Sequence, residues 1–473
     1  MLLAKVPQVP VLLGSGPLAF TSWTFYRDAL AASFVLFFGF VLLGLLVVVT
    51  VPRLLSLVIK PDKVYCLYGF HYWAHRVIAR MTNIKFFTNL FGDSSYVVHY
   101  LRCLGYNLFP VEQTGSNFGM AVKHDTPYLS SVGSGTVIAD RLSIINADFS
   151  STSFRLSRAS IGAHNFIGND IAYPSQGRTG DNCLLATKVM IPIDGEIREG
   201  VGLLGSPSFE IPRTVERDNR FALKSTDELR HRLAAKNKHN AVTMGLHLLV
   251  RWIYFFGVTL LASGAAILHH SFGASAIALT DVLILLFSVV YFALVERAVA
   301  VLQTLTPLGC SIYDRSFWRH ERFWKVPATA YLPIFNGTPF KSVIWRLLGM
   351  RLGRRVFDDG CGFSEKTFVT IGDDCTLNVG SIIQCHSQED GAFKSDRITI
   401  GSGCTLGVGA FVHYGVTMGE GAVLAADSFL MKGEEIPPRA WWGGNPAREI
   451  RNGPSGVLRD GNDNCDAVLV GSK

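Results

Sequence analysis

The chain has 473 residues, 49% of them hydrophobic and only 17% charged, a balance that points to lipid-facing helices rather than a larger soluble core. Lysine plus arginine exceed aspartate plus glutamate by 44 to 37, but the excess gathers at the ends of apolar segments, which excludes a nucleic-acid patch and makes it topology information. Nine cysteines, at 66, 103, 183, 310, 361, 375, 385, 404 and 465, are odd in number and lack a C-x-x-C pair, so neither a disulfide framework nor a metal site is expected, and a reducing compartment is.

In chain order, Ala29 to Pro52 holds no charged residue and is long enough to cross a hydrocarbon core of about 30 Å. Arg27 and Asp28 precede it without a small-residue cleavage site, so an uncleaved anchor is expected. A second crossing is expected from about Arg251-Trp252 to Leu268 and a third from about Ala276 to Leu302, with Asp281 and Glu296-Arg297 near the interfaces. Ser225-Thr226-Asp227-Glu228 reads as a capping box that opens a basic helix, Leu229 to Asn240, on the membrane surface. Lysine and arginine number five in residues 53 to 80, nine in 213 to 251 and five in 297 to 325, against Lys5 and Arg27 alone before the first crossing. By the positive-inside rule this predicts an integral membrane protein with its soluble parts facing the cytoplasm.

Between and after the crossings the sequence repeats itself. Val132-Gly133 falls on Ile371-Gly372, Ile161-Gly162 on Ile400-Gly401, Gly205 and Pro207 on Gly444 and Pro446, and Glu210-Ile211 on Glu449-Ile450, all without a gap. Within the second copy an inward residue recurs every six places at Ile400, Leu406, Val412, Met418 and Leu424. The first copy keeps the register with Ile161, Ile167, Tyr173, Thr179 and Leu185, although Tyr and Thr make poorer core. A triangular coil of three short strands returns the same inward corner at that interval, with Gly and Ala where the chain turns tightly. The fold expected is an all-β left-handed parallel β-helix, as two tandem hexapeptide-repeat prisms, combined with transmembrane α-helices.

The repeat extends upstream: Tyr68, Tyr72, Trp73 and His75 recur as Tyr313, Phe317, Trp318 and His320. These rings suit a membrane interface, and both histidines take the same anchoring role in this reading. The units expected are an anchor at 1–60, a first prism with its collar at 61–215, a surface helix and two crossings at 216–306, a second prism at 307–451 and a disordered tail at 452–473. Phe91-Gly92-Asp93-Ser94-Ser95 superficially resembles a carrier-protein attachment sequence, but it lies in the repeated short-helix unit and is read as structural.

The second copy runs through Cys385-His386-Ser387-Gln388-Glu389-Asp390, a loop with Lys394 and Arg397, and the ending Gly444-Asn445-Pro446-Ala447-Arg448. Over about 370 to 451 this order resembles the hexapeptide-repeat acyltransferases, the family of the maltose, galactoside and capsule O-acetyltransferases. The resemblance implies His386 as general base, since neutral imidazole suits proton removal near pH 7. Glu389 or Asp390 then orients the ring, and Lys394 with Arg397 meets phosphate on a pantetheine arm. Trp441, Trp442 and Asn445 join the donor-binding set. This chain has Thr405 where many members carry Trp, and Trp441-Trp442 in a usually smaller stretch. His413 lies within a regular coil and is read as structural. The matching place to His386 in the first copy is Ala147, so one prism is chemically silent; such enzymes commonly form trimers with sites between prisms, which makes the silent prism a candidate wall beside His386.

Across most of its length the chain looks like the carboxy-terminal region of ε-poly-lysine synthetase and related nonribosomal peptide synthetase terminal domains. That resemblance implies acyl or aminoacyl transfer from acyl-CoA or a phosphopantetheinyl carrier protein to an amine or hydroxyl, with no bound cofactor. The rival reading is a non-catalytic membrane scaffold that docks a separate synthetase.

Overall fold

The computed structural model describes residues 22–108, 122–193, 195–213, 226–302, 305–389 and 391–450. Its helices are α1 (Trp23–Ser56), α2 (Phe70–Thr82), α3 (Lys85–Phe91), α4 (Val97–Leu104), α5 (Thr226–Phe272), α6 (Ala274–Leu302), α7 (Arg315–Lys325) and α8 (Pro339–Leu347). Three of them, α1, α5 and α6, are long and apolar enough to cross a membrane. They meet through edge-on rings of Phe34 and Trp252 at 5.6 Å and through a hydrogen bond from Tyr291 to the carbonyl of Val250. The expected tail lies outside the described residues.

One expectation is corrected at α5. The surface helix and the second crossing are a single helix of 47 residues, because no proline interrupts it and helix propagates wherever nothing breaks it. One face of its basic half packs on the protein: Lys236, Asn240, Thr243 and His247 are buried. Lys236 pairs with Glu321 of α7 at 3.0 Å, and Arg251 donates to the carbonyls of Val326 and Pro327.

Each sequence repeat builds one stack of short strands divided among three parallel sheets. In the later stack these sheets have five, six and four strands. Ile371, Ile400, Met418 and Ile436 line up in one sheet, Leu377, Leu406 and Leu424 in the next, and Ile383, Val412 and Leu430 in the third. The six-residue period is thus one strand per sheet, and all ten side chains are buried in one core. The coils approach so closely at Gly407 that a Cβ there would stand 2.4 Å from the amide nitrogen of Ala426. In the earlier stack the polar core positions are reconciled by pairing: Tyr173 and Thr179 share a 2.8 Å hydrogen bond, and the same hydroxyl of Tyr173 lies 2.8 Å from the carbonyl of Ser160.

A hairpin interrupts each stack. In the later one, strand His386–Glu389 turns back through Ala392–Ser395, which then pairs with Gly309–Ser311 from the segment after α6. The earlier stack repeats this with Ala147–Phe149, Ser153–Leu156 and Val64–Cys66 after α1. The two stacks are fastened directly: the Lys325 ammonium caps the carbonyls of Asn89, Leu90 and Gly92, Lys188 donates to Gly409 and Asp427, and Asn445 donates to the carbonyl of Lys188 at 2.8 Å.

The aromatic collar divides between its two copies. Tyr68 and Trp73 are exposed, whereas Phe317, Trp318 and His320 are buried under the hairpin; the second collar is therefore core, not an interface anchor. Ser94 is fully buried with its hydroxyl on the carbonyl of Phe91, in keeping with a structural loop.

Leu406→Ala should cost about 2–5 kcal/mol, the range for a buried leucine, while Val408→Ala, at an outward position that is 51% exposed, should stay within about 0.5 kcal/mol. Thermal melts of the two variants check the inward register, and equal losses would contradict it.

Candidate active site

His386 opens the hairpin and sits where the later stack faces the earlier one. Its Nδ1 lies 2.7 Å from Oε1 of Glu365, a carboxylate with no solvent exposure. Glu365 is placed by coil stacking: Phe363 pairs with Ile383, which brings the next residues of that coil alongside Cys385 and His386. Trp324 of α7 donates its indole N–H to Glu365 at 3.0 Å and lays its ring on the His386 imidazole, centroids 4.3 Å apart. Ser364 donates to the other carboxylate oxygen at 2.5 Å. His320 stands beyond, its Nδ1 3.7 Å from the same carboxylate.

The electrostatics follow from this enclosure. Burial works against an ionised Glu365, but the adjacent His386 and His320 outweigh it and hold the carboxyl well below its ordinary range. Burial likewise disfavours a charged His386, and the Glu365 charge overcomes it, so the imidazole is raised above its ordinary value. An opposite charge at this range is what reverses the desolvation effect. His386 itself lines a cavity.

That cavity, about 450 Å³, lies between the stacks. The later stack contributes Gln384, His386, Ser387, His413 and Lys432, and the earlier one contributes Asp140, Phe166, Asn169 and Leu204. Gln384 reaches across to Asn169 at 3.4 Å. The earlier stack is thus a wall beside His386. His413, a regular coil position, also lines the cavity; burial, then the Lys432 cation, push it down to about 3. Its Nδ1 accepts the Tyr414 N–H at 3.0 Å, so it is a neutral lining group.

The other expected site residues divide. Glu389 is drawn to Lys432 at 2.7 Å and does not orient the ring; Glu365 takes that place because a long exposed cation claims the later carboxylate. Asp390 lies outside the described residues. Lys394 sits in the hairpin paired with Gly309 and Ser387, and Arg397 is exposed at the start of the next coil; neither lines the cavity. Trp441 and Trp442 pair with Val423 and Leu424 at the end of the stack, and Asn445 tethers the stacks through Lys188; none of the three lines the cavity. Among the described residues no group of three or more His, Cys, Asp or Glu is placed to hold a metal ion.

Set against known proteins, residues 397–432 match the family described as hexapeptide repeat of succinyl-transferase. Delta-poly-L-ornithine synthetase of Acinetobacter baumannii (strain AB307-0294) is 25% identical over 395 residues, covering 81% of this chain. The chain spans only 29% of the length of that relative. Solved structures with partial likeness include a hexapeptide-repeat acetyltransferase of Vibrio cholerae O1 biovar eltor with acetyl-coenzyme A, 24% identical over 22% of this chain and 60% of that one, TM-score 0.21. A maltose O-acetyltransferase of Clostridium difficile 630 is 19% identical over 31% and 92%, TM-score 0.23, and a serine acetyltransferase of Neisseria gonorrhoeae 15% over 46% and 71%, TM-score 0.22. The chain is therefore similar to hexapeptide-repeat acyltransferases in its later stack and to a poly-amino-acid synthetase over most of its length, as its motifs led one to expect.

Glu365→Gln should let burial dominate and drop His386 from above to below the ordinary histidine value of about 6.5. Ring-labelled NMR titration reads this directly. Because the folded imidazole keeps its proton to higher pH than an unfolded one, its share of the pair stabilises fully below about pH 6.5 and fades as pH rises through the raised value; in the glutamine variant that fading should vanish.

Proposed function

We propose that the chain is a membrane-bound acyltransferase, built as two tandem left-handed prisms whose spans hold both on the cytoplasmic side. Its donor is a pantetheine thioester, from acyl-CoA or a phosphopantetheinyl carrier protein. The acyl or aminoacyl group passes to an amine or hydroxyl. The observation that carries this reading is the imidazole of His386, paired through Nδ1 with a buried carboxylate and lining a cavity between the stacks.

The chemistry needs little else. As the acceptor nitrogen or oxygen attacks the thioester carbon, His386 Nε2 takes its proton, and the Glu365 charge stabilises the imidazolium that forms. The tetrahedral intermediate collapses, the C–S bond breaks, and the imidazolium returns the proton to the leaving thiolate. Trp324 and Ser364 keep the carboxylate aimed, so little reorganisation accompanies the step. The hexapeptide match and the poly-L-ornithine synthetase relative support acyl transfer, and the relative's name favours an aminoacyl group and an amine acceptor.

Lys394, half-buried in the hairpin, and Arg397, exposed at the start of the next coil, are proposed to meet the phosphates of a pantetheine arm outside the cavity. Within this reading Asn445 and the two tryptophans shape the prism end, and any homo-oligomer adds to a cavity whose two walls already come from one chain.

His386→Gln should lower transfer by about 10²–10⁴-fold, followed as thiol release from acetyl-CoA and from an acylated carrier protein, with the melting temperature kept. The wild-type rate should climb with pH through an inflection above about 6.5, since only the neutral ring accepts a proton. Lys394→Ala and Arg397→Ala should weaken donor binding. Undiminished product formation by folded His386→Gln protein would instead favour a scaffold for a separate synthetase.

A further inference from the structure

The earlier stack has lost the chemistry but not its place in the cavity, and one residue there stands out. Asp140 lines the wall opposite His386. Its position is fixed from both sides, since its amide donates to Asn169 Oδ1 at 3.1 Å and its carbonyl accepts the Asp170 amide at 3.0 Å. In the later stack the equivalent place is Val379, which is 49% exposed, so the carboxylate is not something the coil requires.

The cations that act on this carboxylate, His386 and Arg141, oppose its rise without outweighing it, and each has another partner. Arg141, next to it in sequence, is turned to Asp170 at 3.7 Å, and Lys432 across the cavity is taken by Glu389. The His386 charge is claimed by Glu365. Burial and the nearby Asp93 charge push the Asp140 carboxyl up to about 7, the behaviour of an acid short of a counter-charge. A second group also waits in the cavity: the Ser387 hydroxyl, on a side chain 4% exposed, has no hydrogen-bond partner. Buried polar groups left open in a cavity mark where a ligand supplies the partner.

We infer that Asp140, contributed by the silent repeat, is a specificity-determining residue that receives an ammonium group of the acceptor while a second, neutral nucleophile of the same molecule is presented to His386. The inference rests on His386 being the base. The silent stack is then a recognition wall: it selects acceptors that carry a positive charge, and an uncharged alcohol leaves Asp140 uncompensated. The Ser387 hydroxyl offers the same acceptor a hydrogen bond from the opposite wall.

The probe is 1,5-diaminopentane, with 1-pentanol as its uncharged counterpart, titrated calorimetrically into the full chain in detergent at fixed salt. Wild-type protein should bind the diamine and not the alcohol. Asp140→Asn should weaken diamine binding by about tenfold or more, as expected when a charge-assisted contact is lost, and Asp140→Glu should restore most of it. Equal binding by Asp140→Asn, or no binding by the wild type, overturns the inference. Failure of the catalytic reading looks different: His386→Gln would retain thiol release while the Asp140 difference in binding persists.

Discussion

The cavity has its base on one stack and much of its opposite wall on the other, so its shape depends on the contact that fixes the stacks against each other. Lys325 is the centre of that contact. It is buried at the end of α7 and reaches into the earlier repeat, where three carbonyls around the end of α3 receive its ammonium. Burial pushes this lysine down to about 8, with the charges of Asp93 and Glu321 opposing the drop. A desolvated cation is tolerated only where oxygen atoms replace water, and the three carbonyls that do so here belong to the other repeat, so the ammonium's hydrogen bonds tie the repeats together. Lys188 and Asn445 complete the clamp at the far end, and the cavity lies between these fastenings.

The same duplication shows how the two stacks differ at this place. Where the later repeat has Glu365 and His386, the earlier has Thr126 and Ala147, and where the later has Trp324, the earlier has Ala79. The whole set is missing together. A buried carboxylate without its imidazole would be an uncompensated charge, whereas losing both partners is close to neutral. His75 stacks on Phe154 at 5.7 Å as His320 packs on Phe393 at 4.8 Å, so the ring's packing role is common to both repeats and does not need Glu365. Thr126 now serves the coil, its amide taking the Asn146 side-chain oxygen.

Much of this was legible in the sequence because period and composition are local properties. The six-residue inward rows, the three apolar helices and the silent Ala147 all follow from spacing alone. Glu365 was not found because its neighbour in space is twenty-one residues away in the chain, yet a signal existed: once Phe363 is set against Ile383 by the coil length, Glu365 must fall beside His386. The same step places His413 next to Gln384. Glu389 was preferred by proximity in sequence, but proximity along a strand alternates faces and says little about which carboxylate a buried ring meets. Asp140 had no such signal, since the docking of two stacks is a tertiary contact that periodicity does not encode.

The route from the apolar helices to the imidazole is short and continuous. Helix α6 ends at Leu302, and within a few residues the chain supplies Gly309–Ser311 as the edge strand of the hairpin that carries His386. Helix α5 passes beside α7, with Thr243 and His239 accepting from Arg322 and Lys236 paired to Glu321, and α7 in turn holds Trp324 over the imidazole. A two-stranded hairpin projecting from a stack is by itself a weak element, with open edges and few neighbours. Here the edge is covered from one side by the chain leaving α6 and the ring from the other by a helix braced on α5. The His386 ring is therefore held by the helical half of the molecule as well as by the β-stack, which gives a physical reason for apolar helices and β-stacks to be interleaved in one chain rather than joined end to end.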